Sequence, residues 1–287
     1  MNKVAATIIR REFKHELYMK TKKSMELAGL NEKITGNKVL LAPDFRTQRV
    51  IPGACTSPWV MESVIRVLRE LKPELSLHIC TRNPAALQRW GVKKICLDKK
   101  VEIVDLNKEK LEEYRGMKVP RIALAANHII NIPVVGVGPF WISGAMANQA
   151  RIVFEDVDDK KVIKANTHLP PAFVVVDATI CGQTAHPYIV HPKIRDTIIS
   201  GKNVTAVEKA ICELASVKEP QYLKKAVIPE YKLIGSLKGT SLKSGYLPAN
   251  SFLRDIYSYL WYNFSGKKMA KKIVKHPLYG GEFKGLV

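Results

Sequence analysis

The stretch PDFRTQR, residues 43–49, brings one carboxylate, Asp44, close to two guanidinium groups, Arg46 and Arg49. Arginine's fixed fork of donors matches a carboxylate or a phosphate. Thr56 and Ser57 follow shortly, just ahead of Pro58 and an apolar periodic run, where the amino end of a helix would favour an anion. Two readings stand. These residues form one anion pocket together, or Asp44 pairs locally with Arg46 and Arg49 faces solvent.

A second stretch, INIPVVGVGPFWISGAMANQ over residues 131–150, is rich in glycine and follows an apolar run. It is not a Walker loop, because no Gly-Lys-Ser/Thr follows, and Pro139, Phe140 and Trp141 break the spacing of a dinucleotide fingerprint. Gly136, Gly138 and Gly144 would permit a tight turn and close helix packing. The alternative is that amides near Ser143 to Ala145 hold an anion, with Asn148 beside them.

Other reactive side chains form no recognisable constellation. His186 and His191 each precede a proline, which biases both toward extended backbone. Asp177 and Cys181 lie upstream, but no acidic partner has diagnostic ligand spacing, so no metal is expected. His128 reads as a satisfied buried histidine. The five cysteines, at positions 55, 80, 96, 181 and 212, are odd in number and scattered, which argues against a disulfide framework and for a reducing compartment. Cys55 has no evident base and reads as packing.

These groups must be carried by alternating elements. NKVLLAPDF reads as a buried strand ending at Pro43 and Asp44. TSPWVMESVIRVLREL follows as a helix, with Ser57 as its cap, Pro58 in its first turn and a stripe of Val60, Val64, Val67, Leu68 and Leu71. Residues 12–29 form an earlier helix closed by Gly29. LSLHIC and VEIVDL are strands flanking a short helix, NPAALQRWG. RIALAANHIINIPVVGV supplies strand material, FWISGAMANQARIVF a helix, PPAFVVVDATI a strand ending at Asp177, and NVTAVEKAICELASV another helix. Such alternation implies an α/β fold, a mostly parallel sheet with helices on both faces.

At 287 residues, 46 Lys+Arg stand against 26 Asp+Glu, a net charge of +20. That surplus attracts anions without choosing among nucleic acid, acidic membrane surfaces and small ligands. Residues 1–235 read as one α/β domain. Residues 236–287 read as a basic, aromatic-rich extension in which Trp261 and Tyr262 stand beside Lys267, Lys268, Lys271, Lys272 and Lys275. Rings interleaved with ammonium groups suit single-stranded nucleic acid, an interfacial helix, or simple docking on the main domain. No segment has eighteen uninterrupted apolar residues, so no transmembrane span and a cytoplasmic location are expected.

The order NKVLLAPDF, PGACTSPWVMESVIRVLREL, NHIINIPVV, SGAMANQ, FVVVDATICG and SGKNVTAVEKAICEL resembles the family called domain of unknown function 362. In that family the strand similar to IINIP is followed by lysines and a Thr-His pair, and later by a Lys-Asn pair. Here those places carry Val134, Gly136, Val137 and Gly138, then Ala147 before Asn148. Where the family opens a helix with two aspartates, this chain has Asn203, Val204 and Glu208. The ferredoxin insert of some relatives is absent. PDFRTQRVIPG is also similar to the Asp-x-x-Arg loop of lactate-racemase-like proteins, a likeness of two polar residues that implies no cofactor here. The resemblance implies the fold and a divergent site. The expected ligand is a small anion held by Asp44, Arg46, Arg49, Thr56, Ser57, Ser143, Asn148 and Asp177, the alternative an accessory nucleic-acid binder. A protein partner or homo-oligomer remains open, and no cofactor is specified.

Overall fold

The run Val39–Ala42 shows why the fold is layered. Val39 and Leu41 pack into one apolar cluster, Leu40 and Ala42 into another, and all four are buried. A strand apolar on both faces needs cover on both faces.

The structure is a computed structural model that describes residues 1–9, 14–32, 34–137, 142–185 and 189–235. Strand β1 (Asn2–Ile8) and helix α1 (Lys14–Leu27) lead into β2 (Lys38–Pro43), α2 (Pro58–Leu71), β3 (Ser76–Thr81), the short helices α3 (Pro84–Arg89) and α4 (Val92–Asp98), and β4 (Glu102–Asp105). A hairpin of β5 (Leu111–Tyr114) and β6 (Met117–Pro120), then α5 (Arg121–Ala125), precede β7 (His128–Ile132) and β8 (Val134–Val137). After β9 (Ile142–Ser143) come α6 (Ala145–Val153), α7 (Asp159–His168), the long strands β10 (Phe173–Ala185) and β11 (Ile189–Gly201), α8 (Val204–Ala215), α9 (Gln221–Lys224) and β12 (Tyr231–Gly235).

The main sheet runs β12-β1-β11-β10-β7-β2-β3-β4. From β10 to β4 every neighbour is parallel, whereas β11 is antiparallel to both β10 and β1. From β2 the chain steps outward to β3 and β4, while β7 and β10 lie on the other side of β2. The strand order therefore reverses between β2 and β7, the kind of crevice where open α/β sheets bind ligands. Helices cover both faces, with Leu17, Met25, Val60, Val64 and Val92 of α1, α2 and α4 on one. Met146, Val162, Val207 and Ile211 of α6, α7 and α8 pack on the other.

Helix α2 forms where its pattern predicts. Val60, Val64, Val67 and Leu68 are buried while Leu71 is half-buried. Pro58 occupies the first turn, and Pro73 forces Lys72 into an extended conformation that ends the helix. Ser57 does stand at the N-cap position, but its side chain makes no capping hydrogen bond.

Several expectations require correction. Residues 121–125 are helical rather than extended: the Arg121 amide donates to the Lys110 carbonyl, and Ile122 and Ala123 pack beneath the β5–β6 hairpin. Strand β10 does not stop at Asp177 but continues to Ala185, because β11 pairs with it along its length. A bulge falls beside Asp177, where Arg195 and Asp196 of β11 stand against Thr179, and Asp196 takes a positive φ of 46°. His128 is half-buried, its Nε2 2.9 Å from the Thr35 amide that donates to it. Strand β1 lies ahead of the first helix read from the sequence and is inserted between β11 and β12.

Candidate functional site

At the carboxyl end of β2 the chain places Asp44, 1% exposed, against Arg46. Arg46 Nε donates to Asp44 Oδ1 at 2.7 Å and Nη2 to Oδ2 at 2.8 Å, a two-pronged ion pair. Nη2 also donates to Ser143 Oγ at 2.9 Å, which ties the loop after β2 to β9. Thr56 locks the base of this loop. Its Oγ1 accepts from the Asp44 amide at 2.9 Å and donates to the Ile132 carbonyl at 2.7 Å, joining the ends of β2 and β7.

The amino end of α2 faces a carboxylate from the protein itself. Asp177 Oδ2 accepts from the Ser57 amide at 2.7 Å, and its Oδ1 accepts from the Thr179 amide at 3.0 Å and the Thr179 hydroxyl at 2.6 Å. Complete burial pushes the Asp177 carboxyl above its usual range, and these hydrogen bonds pull it partly back.

The amino end of α6 is occupied in the same way. Glu208, projecting from α8, accepts from the amides of Ala145 at 2.6 Å and Met146 at 3.2 Å, and from the Tyr222 hydroxyl at 2.6 Å. Burial raises its carboxyl as well, and it raises Tyr222 well above the ordinary phenol value. Gly144 is required here, since a Cβ at that position would overlap the Glu208 carboxylate. Asn148, one turn along α6, donates from Nδ2 to the Ala42 carbonyl at 2.8 Å and to Asn131 Oδ1 at 2.7 Å, fixing α6 over β2 and β7.

Beside these contacts lies a cleft of about 820 Å³, lined by the ends of β2, β3 and β4, by α6 and by the α6–α7 connection. Arg46 and Asn148 line it, and so do two residues that motif reading did not single out, Arg82 and Arg151. Arg82 donates to the last carbonyls of α6, including Val153 at 3.2 Å. Arg151 is different. Its Nη1 is shielded from solvent and has no hydrogen-bond partner among the described residues. Burial and the neighbouring Arg46 pull this guanidinium down to about 10, so it stays charged at neutral pH.

The model of a family described as domain of unknown function (DUF362) matches residues 39–213, more than half of the chain. The chain belongs to that family. The DUF362 match begins in β2 and ends in α8, so it spans nearly every element around the cleft, Tyr222 being outside it. No curated protein matches the chain.

In this DUF362 protein the residues expected to act together divide into three groups. Asp44, Arg46 and Asn148 line the cleft, and Ser143 reaches it through Arg46. Thr56, Ser57 and Asp177 are buried and hold the β2–α2 loop to the sheet. Arg49 is exposed and does not line the cleft. The Asp44–Arg46 pair thus exists and borders the open space at the same time. Arg151 was discoverable: Asn148 and Arg151 stand three apart in the helical run AMANQARIV, on one face. His186, the side chain of His191, and the basic and aromatic residues Trp261, Tyr262, Lys267, Lys268, Lys271, Lys272 and Lys275 lie outside the described residues.

The site presents donors rather than nucleophiles. Burial raises the Cys55 thiol to about 12, and all five cysteines are free and buried. Among the described residues no group of three or more His, Cys, Asp or Glu side chains could hold a metal ion, and no helix is long and apolar enough to cross a membrane. At the opposite sheet end Ser76 Oγ lies 2.9 Å from His78 Nε2, and His78 Nδ1 lies 3.1 Å from Glu102 Oε2. Nδ1 nevertheless lacks a properly aligned hydrogen bond, and burial lowers the His78 pKa. None of the three lines the cleft.

Proposed function

We propose that this protein binds a small molecule bearing a phosphate or carboxylate, in the cleft at the carboxyl ends of β2, β3 and β4. The carrying observation is the charged Arg151, which borders the cleft with a shielded Nη1 that no acceptor among the described residues satisfies. Such a nitrogen is costly to leave without a partner, and an anion would supply one. Arg46, held by Asp44 and Ser143, stands near enough to perturb Arg151 and provides a second guanidinium.

Two further points favour the reading. The crevice lies outside the carboxyl ends of parallel strands, on the β3 side of the β2–β7 boundary where the strand order reverses, and its volume falls in the usual range of small-molecule pockets, roughly 300–1,000 Å³. Because Glu208 and Asp177 already satisfy the amino ends of α6 and α2, recognition falls to guanidinium groups and not to helix ends.

Thermal unfolding of the full chain with inorganic phosphate, acetate and succinate tests the proposal. Stabilisation by at least one anion that disappears in Arg151→Gln is expected. If no anion raises Tm, or if the rise is the same in Arg151→Gln, the site assignment is wrong.

A further inference from the structure

The cleft carries both signs of charge, separated along its lining. Arg46, Arg82 and Arg151 supply the positive groups. Asp44 supplies one carboxylate on the floor, and Glu155, Asp156, Asp158 and Asp159 supply four along the α6–α7 connection. The formal charge of the lining is therefore two negative, on a chain whose net charge is +20.

Part of that charge is already committed. Asp44 is held by Arg46, Arg82 closes α6, and Asp158 accepts from the Lys161 amide at 2.8 Å as the cap of α7. Glu155, Asp156 and Asp159 have no side-chain hydrogen bond or ion pair among the described residues. The lining side chains without a hydrogen bond or ion pair among the described residues are one guanidinium, which feels Asp44 and Glu208 at longer range, and three carboxylates, beside which Lys161 Nζ donates to the Asp156 carbonyl at 3.0 Å. A ligand with several negative charges would meet net repulsion from this lining, whereas a ligand with one anionic and one cationic end would find a partner for each.

We infer that the ligand of the cleft is zwitterionic, with a carboxylate or phosphate against Arg151 and an amine against the acidic edge formed by Glu155, Asp156 and Asp159. The inference rests on the anion-binding reading above and deepens it. Arg151 and Asp156 are five positions apart in the chain, which limits their Cα separation to about 18 Å. A molecule of amino-acid to dipeptide size fits between such poles. The carboxylates do not form a metal cluster of three, so the amine and not a divalent cation is the counter-charge assigned to them.

Titration calorimetry on the full chain with matched probes decides the matter: 4-aminobutyrate against butyrate, and O-phosphoethanolamine against ethyl phosphate, each with and without magnesium. The amine-bearing member of at least one pair is expected to bind about tenfold tighter or better, corresponding to about 1.4 kcal/mol. The preference should vanish in Asp156→Asn/Asp159→Asn, which keeps the anion contact, while Arg151→Gln should weaken both members. Equal affinities within each pair would overturn the zwitterion and leave the anion site standing. Ethyl phosphate binding that requires magnesium would assign the acidic edge to a cation instead, and an amine preference untouched by the double asparagine variant would place the amine elsewhere. Absence of binding by any probe, together with no anion-induced stabilisation, would remove both readings.

Discussion

Glu208 Oε2 lies 2.6 Å from the amide nitrogen of Ala145, so a side chain of α8 caps the amino end of α6. The cap fixes the helix that carries Asn148 and Arg151. Glu208→Ala would strand two buried amides and open a cavity, at a cost of about 3 kcal/mol. Glu208→Gln keeps an acceptor toward both amides and should cost much less. Chemical denaturation of the two variants checks the difference, and equal losses would contradict it.

Asp177 and Glu208 give stability a pH dependence of known sign. Burial raises both carboxyls above their ordinary values of 3.8 and 4.5. The folded chain therefore holds more protons than the unfolded chain between those values and the raised ones. Their contribution to stability is greatest below the ordinary values and declines as pH rises through that window. The Tm of Glu208→Gln relative to the wild type should accordingly increase between pH 4 and pH 7. A constant difference would show that Glu208 does not titrate abnormally.

The Asp44–Arg46 pair should behave as a partly buried ion pair. Arg46→Ala leaves a carboxylate that is 1% exposed without its two-pronged partner, at a cost of about 3 kcal/mol. Asp44→Asn combined with Arg46→Ala should recover a good part of that loss, and a double-mutant cycle measures the coupling. Strict additivity of the two changes would mean that the pair contributes nothing.

Ser57 and Asn83 both occupy N-cap positions, but only Asn83 makes a capping contact, accepting from the Ala86 amide at 3.2 Å. Asn83→Ala should cost about 1 kcal/mol. Ser57→Ala should stay within about 0.5 kcal/mol of the wild type, because its Oγ has no hydrogen-bond partner among the described residues. Urea midpoints of the two variants distinguish them.

Thiol reactivity offers a further check. Burial raises Cys55 and Cys80 to about 12 and Cys96 to about 11. Thiolate is therefore scarce at neutral pH, and a disulfide reagent should label the native protein slowly and all five cysteines once it is denatured. Rapid native labelling of any one would reveal local opening at that position.

Local pattern carried much of the fold. The apolar runs of β2 and β3, the stripe of α2 and the close of the first helix at Gly29 are statements about neighbouring residues, and the structure keeps them. Family membership was legible for the same reason, since it depends on the order of such elements. Strand β1 and the continuation of β10 beyond Asp177 were not, because each is extended through pairing with strands elsewhere in the sheet, β1 with β11 and β12 and the end of β10 with β11 and β8.

The site divides along the same line. The sequence by itself named Asp44 and Arg46 and determined that they could pair, since two positions separate them. It could not show that Asp177 closes α2 from 120 residues away or that Glu208 closes α6 from 63. Those contacts belong to elements brought together by the sheet order. Tertiary structure therefore decided that both helix ends are satisfied internally and that Arg151 has a shielded nitrogen without a partner among the described residues. The physical reason is burial: only the packed chain removes water from these groups, and only then does the identity of the remaining partner matter.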